Sequence, residues 1–321
     1  MVRWIAAAAA SGLLLAGCGA EDDDATAGSA AATATAVAAT YTPTSDVSGN
    51  AAVGKDVAAI RALLEPEPAG AQPDFEAAGE IWSKGKNSVK DDGTNRTLAS
   101  FVEEHPVAEH VTAALAGTGA AADLSDEQRV EMVDKGMVVT LKVHALDEFG
   151  GAKEKLEAGE LDPKEGAVHN VDEVWAYFDA EGEGVVATAA KRARDFGLAE
   201  HELGNDVIAG VAAARDAVAA KDAAALDAAA ERARGAMNRV FALAVKKYAV
   251  EAGKGDAKAR SEGLAFSWGL IGELSVGDQK KIEAAFAENA GPDAAKTIAD
   301  TLDGAAAKLG FDGPLPAYPA A

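Results

Sequence analysis

Two segments of the sequence place a histidine, an aspartate and a glutamate at the same spacing. They read His144-Ala-Leu-Asp-Glu148 and His169-Asn-Val-Asp-Glu173. Residues four positions apart project from the same face of an α-helix, so each histidine is expected to lie beside its glutamate. An imidazole nitrogen and a carboxylate oxygen can bind one metal ion together, and a carboxylate can also orient a ligating histidine. The repeated pattern therefore indicates a metal site.

Three further side chains are candidate ligands. Tyr177 continues the face of the second segment, and a phenol added to imidazoles and carboxylates gives the nitrogen and oxygen donor set that suits iron. Glu262 lies in an apolar segment, where a buried carboxylate must bind either a metal or a cation such as Arg260 or Arg239. His105 is a weaker candidate of the same kind. The predicted metal ligands are thus His144, Glu148, His169, Glu173 and Tyr177, with Glu262 and His105 as weaker members.

A histidine and a glutamate at this spacing also have a simpler interpretation, as a solvated pair on a helix surface. Two copies of the pattern in a chain with only five histidines strengthen the metal interpretation and leave the solvated pair as an open alternative. Because histidine binds metal in its neutral form, we expect binding to weaken as the pH falls toward about 6.

The sequence offers little support for an enzyme. It contains no Glu-x-x-His pair of the ferritin-like di-iron type and no His-Glu-x-x-His zinc motif. Gly-x-Ser-x-Gly and the phosphate-binding Walker loop are also missing from it. We therefore expect a binding protein without enzymatic turnover.

Charge and cysteine content narrow the class of protein further. The 321 residues include 52 Asp and Glu against 30 Lys and Arg, for a net charge of -22. This charge argues against nucleic acid as a partner, and it raises the concentration of cations near the surface. A single cysteine excludes an internal disulfide and any multi-cysteine zinc or iron–sulfur site.

Residues 1–18 are predicted to be a lipoprotein signal peptide. The apolar stretch from Trp4 to Leu15 is too short to span a bilayer, and it ends in Leu15-Ala-Gly-Cys18. This ending resembles a bacterial lipobox, which implies cleavage before Cys18 and attachment of diacylglycerol to its sulfur. Two or three acyl chains would anchor the protein stably to the cell envelope. Aspartate directly after Cys18 would favour retention of the protein in the inner membrane, but the sequence has Gly19 there. If the bacterium is Gram-negative, this indicates that the protein lies at the outer membrane or in the periplasm.

The rest of the chain is predicted to be a tether followed by helices. Residues 19–50 are acidic and then rich in small residues, a composition that buries too little apolar surface to offset chain entropy. Over residues 51–310 the apolar side chains recur every three or four positions, which predicts an all-α antiparallel multi-helix bundle. Ser125-Asp-Glu-Gln128 is a capping box that should begin a long helix through Val138 and Thr140. Residues 311–321 are predicted to be a loose C-terminal tail.

One region resembles a known family. It runs from the acidic amphipathic segment Asp74 to Trp82, through the turn Gly85-Lys-Asn-Ser88, to Arg96-Thr-Leu98. This arrangement resembles the iron-assimilatory, low-iron-inducible periplasmic protein family. The resemblance implies an all-helical secreted or surface protein that helps to capture iron. The turn has a structural interpretation as well, with Gly85 ending a helix and Asn87 and Ser88 bonding backbone groups.

Together these features predict a lipid-anchored envelope protein that binds iron, or another hard metal cation, and assists iron uptake. Its partners would be the membrane, through the lipid on Cys18, the metal ion, and an uptake transporter whose identity the sequence leaves open. The alternative is a helical envelope scaffold that binds no metal and docks a partner protein or a cell-wall component.

Overall fold

The computed structural model describes residues 41–68, 70–288, 290–291 and 293–319, which form an all-α fold. The α-helices are α1 (Ser48–Ala51), α2 (Val53–Leu64), α3 (Phe75–Lys84), α4 (Val107–Ala116), α5 (Asp126–Ala158), α6 (Ala167–Asp179), α7 (Val185–Asp195), α8 (Glu202–Ala220), α9 (Ala223–Ala252), α10 (Ala257–Trp268), α11 (Val276–Ala285), α12 (Ala294–Gly304) and α13 (Ala306–Leu309). Extended pairing among these residues is limited to one antiparallel bridge between Val89 and Asn95. The predicted fold class is confirmed.

The long helix α5 begins at the predicted capping box. Ser125 Oγ accepts a hydrogen bond from the backbone nitrogen of Gln128, whose side chain accepts one from the backbone nitrogen of Ser125. The helix continues through Val138 and Thr140, so the β-branched run there is helical, as predicted. It ends at Gly159, whose φ of 76° is the left-handed conformation that glycine adopts easily.

Helix α5 is the centre of the bundle. It packs against α4, α6, α9 and α10, while α8 packs along α9. The two-residue connection of Lys221 and Asp222 makes α8 and α9 an antiparallel hairpin. These two helices approach so closely that a Cβ atom on Gly210 would lie 2.8 Å from the backbone of Ala233. Small residues therefore set the helix spacing, in agreement with the alanine-rich faces of the sequence.

The segment of residues 41–50, here called the N-terminal strap, lies against α6. The sequence predicted it to be part of the flexible tether, and for these residues that boundary was wrong. The ring of Tyr41 packs on Trp175 with 5.7 Å between centroids, and Val47 is buried. A few apolar and hydrogen-bonding side chains thus fix a segment whose average composition predicted a free chain. The signal peptide, Cys18 and tether residues 19–40 lie outside the described residues.

The C-terminal segment is also packed on the helices. Lys246 Nζ donates a hydrogen bond to the backbone oxygen of Leu315, and the backbone nitrogen of Leu315 donates to Asp303. The hydroxyl of Tyr318 donates to Glu251 at 2.8 Å. The prediction of a loose tail was therefore wrong for residues 311–319, because Leu315 is buried and neighbouring polar groups satisfy its backbone.

No helix within the described part of the chain combines the length and the apolar character that crossing a bilayer requires.

Candidate metal centre

The two His-x-x-Asp-Glu segments lie beside each other in the structure. The connection from Gly159 to Gly166 joins α5 and α6 as a packed helical hairpin, with His144 and Glu148 on α5. The side-chain nitrogen of Asn170 on α6 donates a hydrogen bond to Glu148 Oε2 at 2.6 Å. The hairpin therefore brings the repeated sequence pattern to one place.

Four side chains of the repeat form a continuous line of contacts, here called the His–Glu cluster. His144 Nε2 lies 3.5 Å from Glu148 Oε1, and His169 Nε2 lies 3.4 Å from Glu173 Oε1. The carboxyl groups of Glu148 and Glu173 are hydrogen bonded to each other, which joins the two pairs. The helical spacing predicted each pair, and the hairpin packing connects them.

The two carboxyl groups of the cluster have opposite pKa shifts. Burial, followed by the negative charge of Glu173, raises the pKa of Glu148 to about 8. Burial alone would raise the pKa of Glu173 as well, but hydrogen bonds and the charge of His169 lower it. Near neutral pH, Glu148 therefore keeps its proton and donates it to Glu173, and the pair carries a single negative charge.

His144 is held in its neutral form. Its ring stacks on Phe101 with 3.8 Å between centroids and lies 4.5 Å from the ring of Tyr177. Burial lowers the pKa of His144 to about 4. His144 therefore stays neutral near pH 6, and the weakening of metal binding toward that pH stays a prediction. The sequence could not indicate the ring stacking that removes His144 from water.

Tyr177 and Asn50 complete one end of the cluster. The side-chain nitrogen of Asn50 donates hydrogen bonds to Glu173 Oε1 at 2.6 Å and to the Tyr177 hydroxyl at 2.8 Å. Burial raises the pKa of Tyr177 above its ordinary value, so the hydroxyl keeps its proton. The predicted position of Tyr177 at the site is therefore observed, whereas Asn50 was missed because it fell in the predicted tether.

The aspartate of the second repeat fixes the strap beside the cluster. Asp172 accepts hydrogen bonds from the hydroxyl of Tyr41, the backbone nitrogen atoms of Thr44 and Ser45, and Ser45 Oγ, at 2.6–2.8 Å. Ser45 Oγ also lies 3.0 Å from His169 Nδ1. The buried carboxylate of Asp172 thus orients a hydroxyl that in turn positions a histidine of the cluster.

The family-like turn holds the other end of the strap. Asn87 donates hydrogen bonds from its backbone and its side chain to Asp56 on α2, at 2.9 and 2.7 Å. Ser88 Oγ donates to the backbone oxygen of Gly49 at 2.7 Å. Because Gly49 precedes Asn50 directly, this turn positions a residue that contacts the cluster. The sequence had suggested that Asn87 and Ser88 bond backbone groups within the turn. Their hydrogen bonds instead reach Asp56 on α2 and Gly49 of the strap.

A glycine is needed where this turn begins. Gly85 ends α3 with a φ of 62°, as predicted. A Cβ atom at this position would lie 2.2 Å from the backbone oxygen of Arg96, so any side chain would displace the returning strand of the turn.

Two of the predicted ligands lie elsewhere. Glu262 on α10 forms an ion pair with Lys135 at 3.2 Å, in a buried group of charges. Lys135 precedes His144 by nine residues, which is about 14 Å along α5. His105 Nδ1 accepts a hydrogen bond from the backbone nitrogen of Val107 and forms no hydrogen bond or ion pair with the four side chains of the His–Glu cluster within the described residues. Glu262 thus has a cationic partner on another helix, Lys135.

The cluster as it stands is a line of donor atoms and not a closed coordination shell. Within the described ranges, no three His, Cys, Asp or Glu side chains are placed so that one ion could contact them all. The carboxyl oxygens of Glu148 and Glu173 are used in hydrogen bonds to each other and to Asn170 and Asn50. One amide oxygen beside them, Asn170 Oδ1, is buried and accepts no hydrogen bond from any residue that the structure describes.

The fold and the cluster define an all-helical protein with imidazole and carboxyl donors gathered between two helices. Residues 12–252 match the family described as low iron-inducible periplasmic protein, and the chain belongs to this family. The resemblance first seen around Asp74 to Leu98 is thereby confirmed. The family supports an iron-related role and a location in the cell envelope. No curated protein and no solved structure shows a detectable match to the chain.

Proposed function

We propose that the protein binds an iron ion at the His–Glu cluster and helps to deliver it for uptake, without enzymatic turnover. The observation that carries this proposal is that the packed helices α5 and α6 place the pairs His144–Glu148 and His169–Glu173 side by side. The charge of Glu173 adds to burial in raising the pKa of Glu148, which indicates that the two carboxyl groups lie close together. Membership of a low iron-inducible family supports iron as the ion.

The shared proton is the physical basis of the proposal. Two carboxylates in contact repel each other, and in the metal-free protein the proton on Glu148 relieves this repulsion. A divalent or trivalent cation relieves it more strongly, since it neutralises both charges at once. Binding should therefore expel the proton of Glu148 into solvent.

Local rotation of side chains would convert the line of donors into a coordination shell. The imidazole nitrogens of His144 and His169 already lie within 3.5 Å of the glutamate oxygens, so short movements suffice. The amide oxygen of Asn170 would provide a further oxygen donor beside Glu148, and the Tyr177 hydroxyl lies at the Glu173 end of the cluster. Imidazole combined with carboxylate and amide oxygens suits iron, zinc and manganese, and the family favours iron among these.

The cluster is accessible to an ion while remaining partly protected. Its four side chains are 13–21% exposed. The acidic character of the protein, with a net charge of -22, raises the local concentration of cations. An ion can therefore reach the donors from solvent, and the strap limits how far they can separate.

We also propose that lipid on Cys18 holds the protein at the membrane, so that iron is captured close to an uptake transporter. A Cys18→Ser variant should appear in the soluble envelope fraction, and the wild-type protein in the membrane fraction. Mass spectrometry of the wild-type N-terminal peptide should show the added acyl chains. An unmodified cysteine, or equal distribution of both proteins, would remove the anchor from the account.

Calorimetric titration of the chain without its leader tests iron binding. Fe(III) citrate in air and Fe(II) without oxygen are the probes. Wild-type protein should bind one ion, and the double variant His144→Ala, His169→Ala should lose at least tenfold in affinity. Glu157→Gln, which removes an exposed carboxylate near the end of α5, is the matched control and should bind as wild type does. Equal binding by the double variant would refute the site. An absence of binding, with a stable partner recovered from the envelope, would favour the scaffold alternative.

A further inference from the structure

The N-terminal strap contains a chain of hydrogen bonds that ends on a histidine of the His–Glu cluster. Asp172 on α6 is fully buried, and its carboxylate accepts hydrogen bonds from the backbone nitrogen and the hydroxyl of Ser45, at 2.7 and 2.8 Å. The same hydroxyl oxygen lies 3.0 Å from His169 Nδ1. Ser45 thus links a buried carboxylate to a ring that the proposed iron site uses.

The number of hydrogen atoms on Ser45 fixes the direction of its contact with the ring. A hydroxyl has a single hydrogen atom, whereas a carboxylate has none and can only accept. Hydrogen bonds to a charged acceptor are roughly twice as strong as neutral ones, so the Ser45 hydrogen is directed to Asp172 and not to the ring. Toward His169 the hydroxyl oxygen can therefore only accept, and the hydrogen in that contact must be on Nδ1.

The strap has further attachments that do not involve the Ser45 hydroxyl. Asp172 also accepts hydrogen bonds from the hydroxyl of Tyr41 at 2.6 Å and from the backbone nitrogen of Thr44 at 2.8 Å. The Tyr41 ring packs on Trp175 as well. Removal of the hydroxyl alone should therefore leave the strap in place and change only the contact with His169.

A hydrogen on Nδ1 leaves Nε2 with the free lone pair of the neutral ring. This nitrogen lies 3.4 Å from Glu173 Oε1. For bonds of about 2.1 Å, two atoms that bind one ion at a nearly tetrahedral angle lie about 3.4 Å apart. The observed spacing therefore suits binding of one ion by both atoms with little movement of either side chain.

We propose that Ser45, oriented by Asp172, is a positioning residue of the iron site that fixes the tautomer of His169 so that Nε2 binds the ion. This inference rests on the proposed function, and it assigns the strap a part in that site. Histidines that bind metal usually donate their second ring hydrogen to an oxygen acceptor, and loss of that acceptor lowers metal affinity by about 10–100-fold.

The tautomer can be measured without metal, by nitrogen NMR of isotope-labelled histidine in the whole chain at a pH where imidazole is neutral. The signal of His169 is identified by its loss in His169→Gln. Wild type should carry the hydrogen on Nδ1, and Ser45→Ala should shift the population toward the form with hydrogen on Nε2. Ser45→Thr keeps the hydroxyl and should keep the wild-type tautomer. Ser48→Ala removes an exposed hydroxyl of the same strap, bonded to Asp46, and is the matched control.

Calorimetric titration of the same proteins with Fe(II) in the absence of oxygen measures the effect on the site. Ser45→Ala should lose about tenfold in affinity, whereas Ser45→Thr and Ser48→Ala should bind as wild type does. Hydrogen exchange at the amide of Thr44 should be equal in wild type and Ser45→Ala, since the strap stays attached.

Two results would overturn the role of Ser45. One is a wild-type His169 ring with its hydrogen on Nε2. The other is unchanged iron affinity in Ser45→Ala while His144→Ala, His169→Ala loses affinity, which would retain the iron site without this positioning. An absence of iron binding by wild type would refute the proposed function instead, and the tautomer is decided without metal, so the two failures are distinguishable.

Discussion

Glu148 on α5 and Glu173 on α6 share a hydrogen bond between their carboxyl groups, and burial together with the charge of Glu173 raises the pKa of Glu148 to about 8. The ionic state of the His–Glu cluster is therefore set by a carboxyl pair, whereas the sequence pointed to its histidines. The contact depends on the tight packing of α5 and α6, which places the two repeats of the sequence pattern face to face.

Iron affinity should rise with pH up to about 8. Below that pH an ion must displace the proton of Glu148, which lowers the apparent affinity by about tenfold for each pH unit. His144 does not add to the pH dependence of iron affinity in this range, because its pKa of about 4 keeps it neutral. Anaerobic titrations with Fe(II) at several pH values measure this dependence. A midpoint near pH 6.5 would instead assign the limiting proton to a histidine.

Glu148→Gln is the direct test of the shared proton. The amide can donate the same hydrogen bond to Glu173 but cannot ionise. We expect the variant to lose at least tenfold in iron affinity and to lose the pH dependence of whatever binding remains. Glu157→Gln should keep both the wild-type iron affinity and its pH dependence. If iron affinity depends on pH in Glu148→Gln as it does in wild type, the titrating group lies elsewhere.

The same carboxyl pair should affect the stability of the metal-free protein. The folded-state pKa of Glu148 is raised from 4.5 to about 8, so its contribution to the free energy of unfolding is present at low pH and declines as the pH rises through that range. His144 acts in the opposite sense. Its pKa is lowered from 6.5 to about 4, so its contribution is lost as the pH falls through that interval.

Denaturation of wild type and Glu148→Gln across this pH range separates the two contributions. The variant should gain stability relative to wild type as the pH rises from about 5 to about 9, since only wild type must ionise a buried carboxyl group. Parallel stability curves for the two proteins would show that Glu148 titrates normally.

Asp172→Asn should release the strap. Asp172 accepts four hydrogen bonds from strap residues, and hydrogen bonds to a charged group contribute more than neutral ones. We expect a loss of about 2–3 kcal/mol in the free energy of unfolding. Hydrogen exchange at the amides of Thr44 and Ser45 should become faster. Asp147→Asn alters the corresponding but exposed aspartate of the first repeat and should change neither quantity. Equal effects of both substitutions would argue against attachment of the strap by Asp172.

Two glycine substitutions in neighbouring helices test the packing that supports the strap. A Cβ atom on Gly54 of α2 would lie 1.8 Å from the backbone oxygen of Ala180, whereas one on Gly79 of α3 meets nothing within 4 Å. Gly54→Ala should destabilise the protein by about 2 kcal/mol or more. Gly79→Ala should stabilise it by about 0.5–1 kcal/mol, since alanine is the better helix former. Urea denaturation distinguishes these opposite signs, and two similar values would contradict the close approach of α2 to Ala180.

Local patterns in the sequence predicted the parts of the site that depend on a single helix. The spacing of His144 and Glu148 predicted their contact, and the capping box predicted where α5 begins. Contacts between distant segments were not predictable in this way. Asn50 reaches Glu173 from a segment whose composition resembles a free tether, and Glu262 meets Lys135 of another helix.

Shifts in pKa depend in the same way on tertiary packing. The histidine pattern predicted a protonation midpoint near pH 6, but burial lowers the pKa of His144, whose ring stacks on Phe101, and raises the pKa of Glu148. Burial at a helix interface is a property of the fold, so no reading of residue spacing along one helix could have revealed it.

The most direct test of the iron site is an anomalous difference map, measured at the iron absorption edge, from crystals grown with iron. A single strong peak between the carboxyl groups of Glu148 and Glu173, within bonding distance of an imidazole of His144 or His169, is the expected result. A peak confined to the acidic outer surface, or no peak beside these glutamates at full iron saturation, would contradict the account.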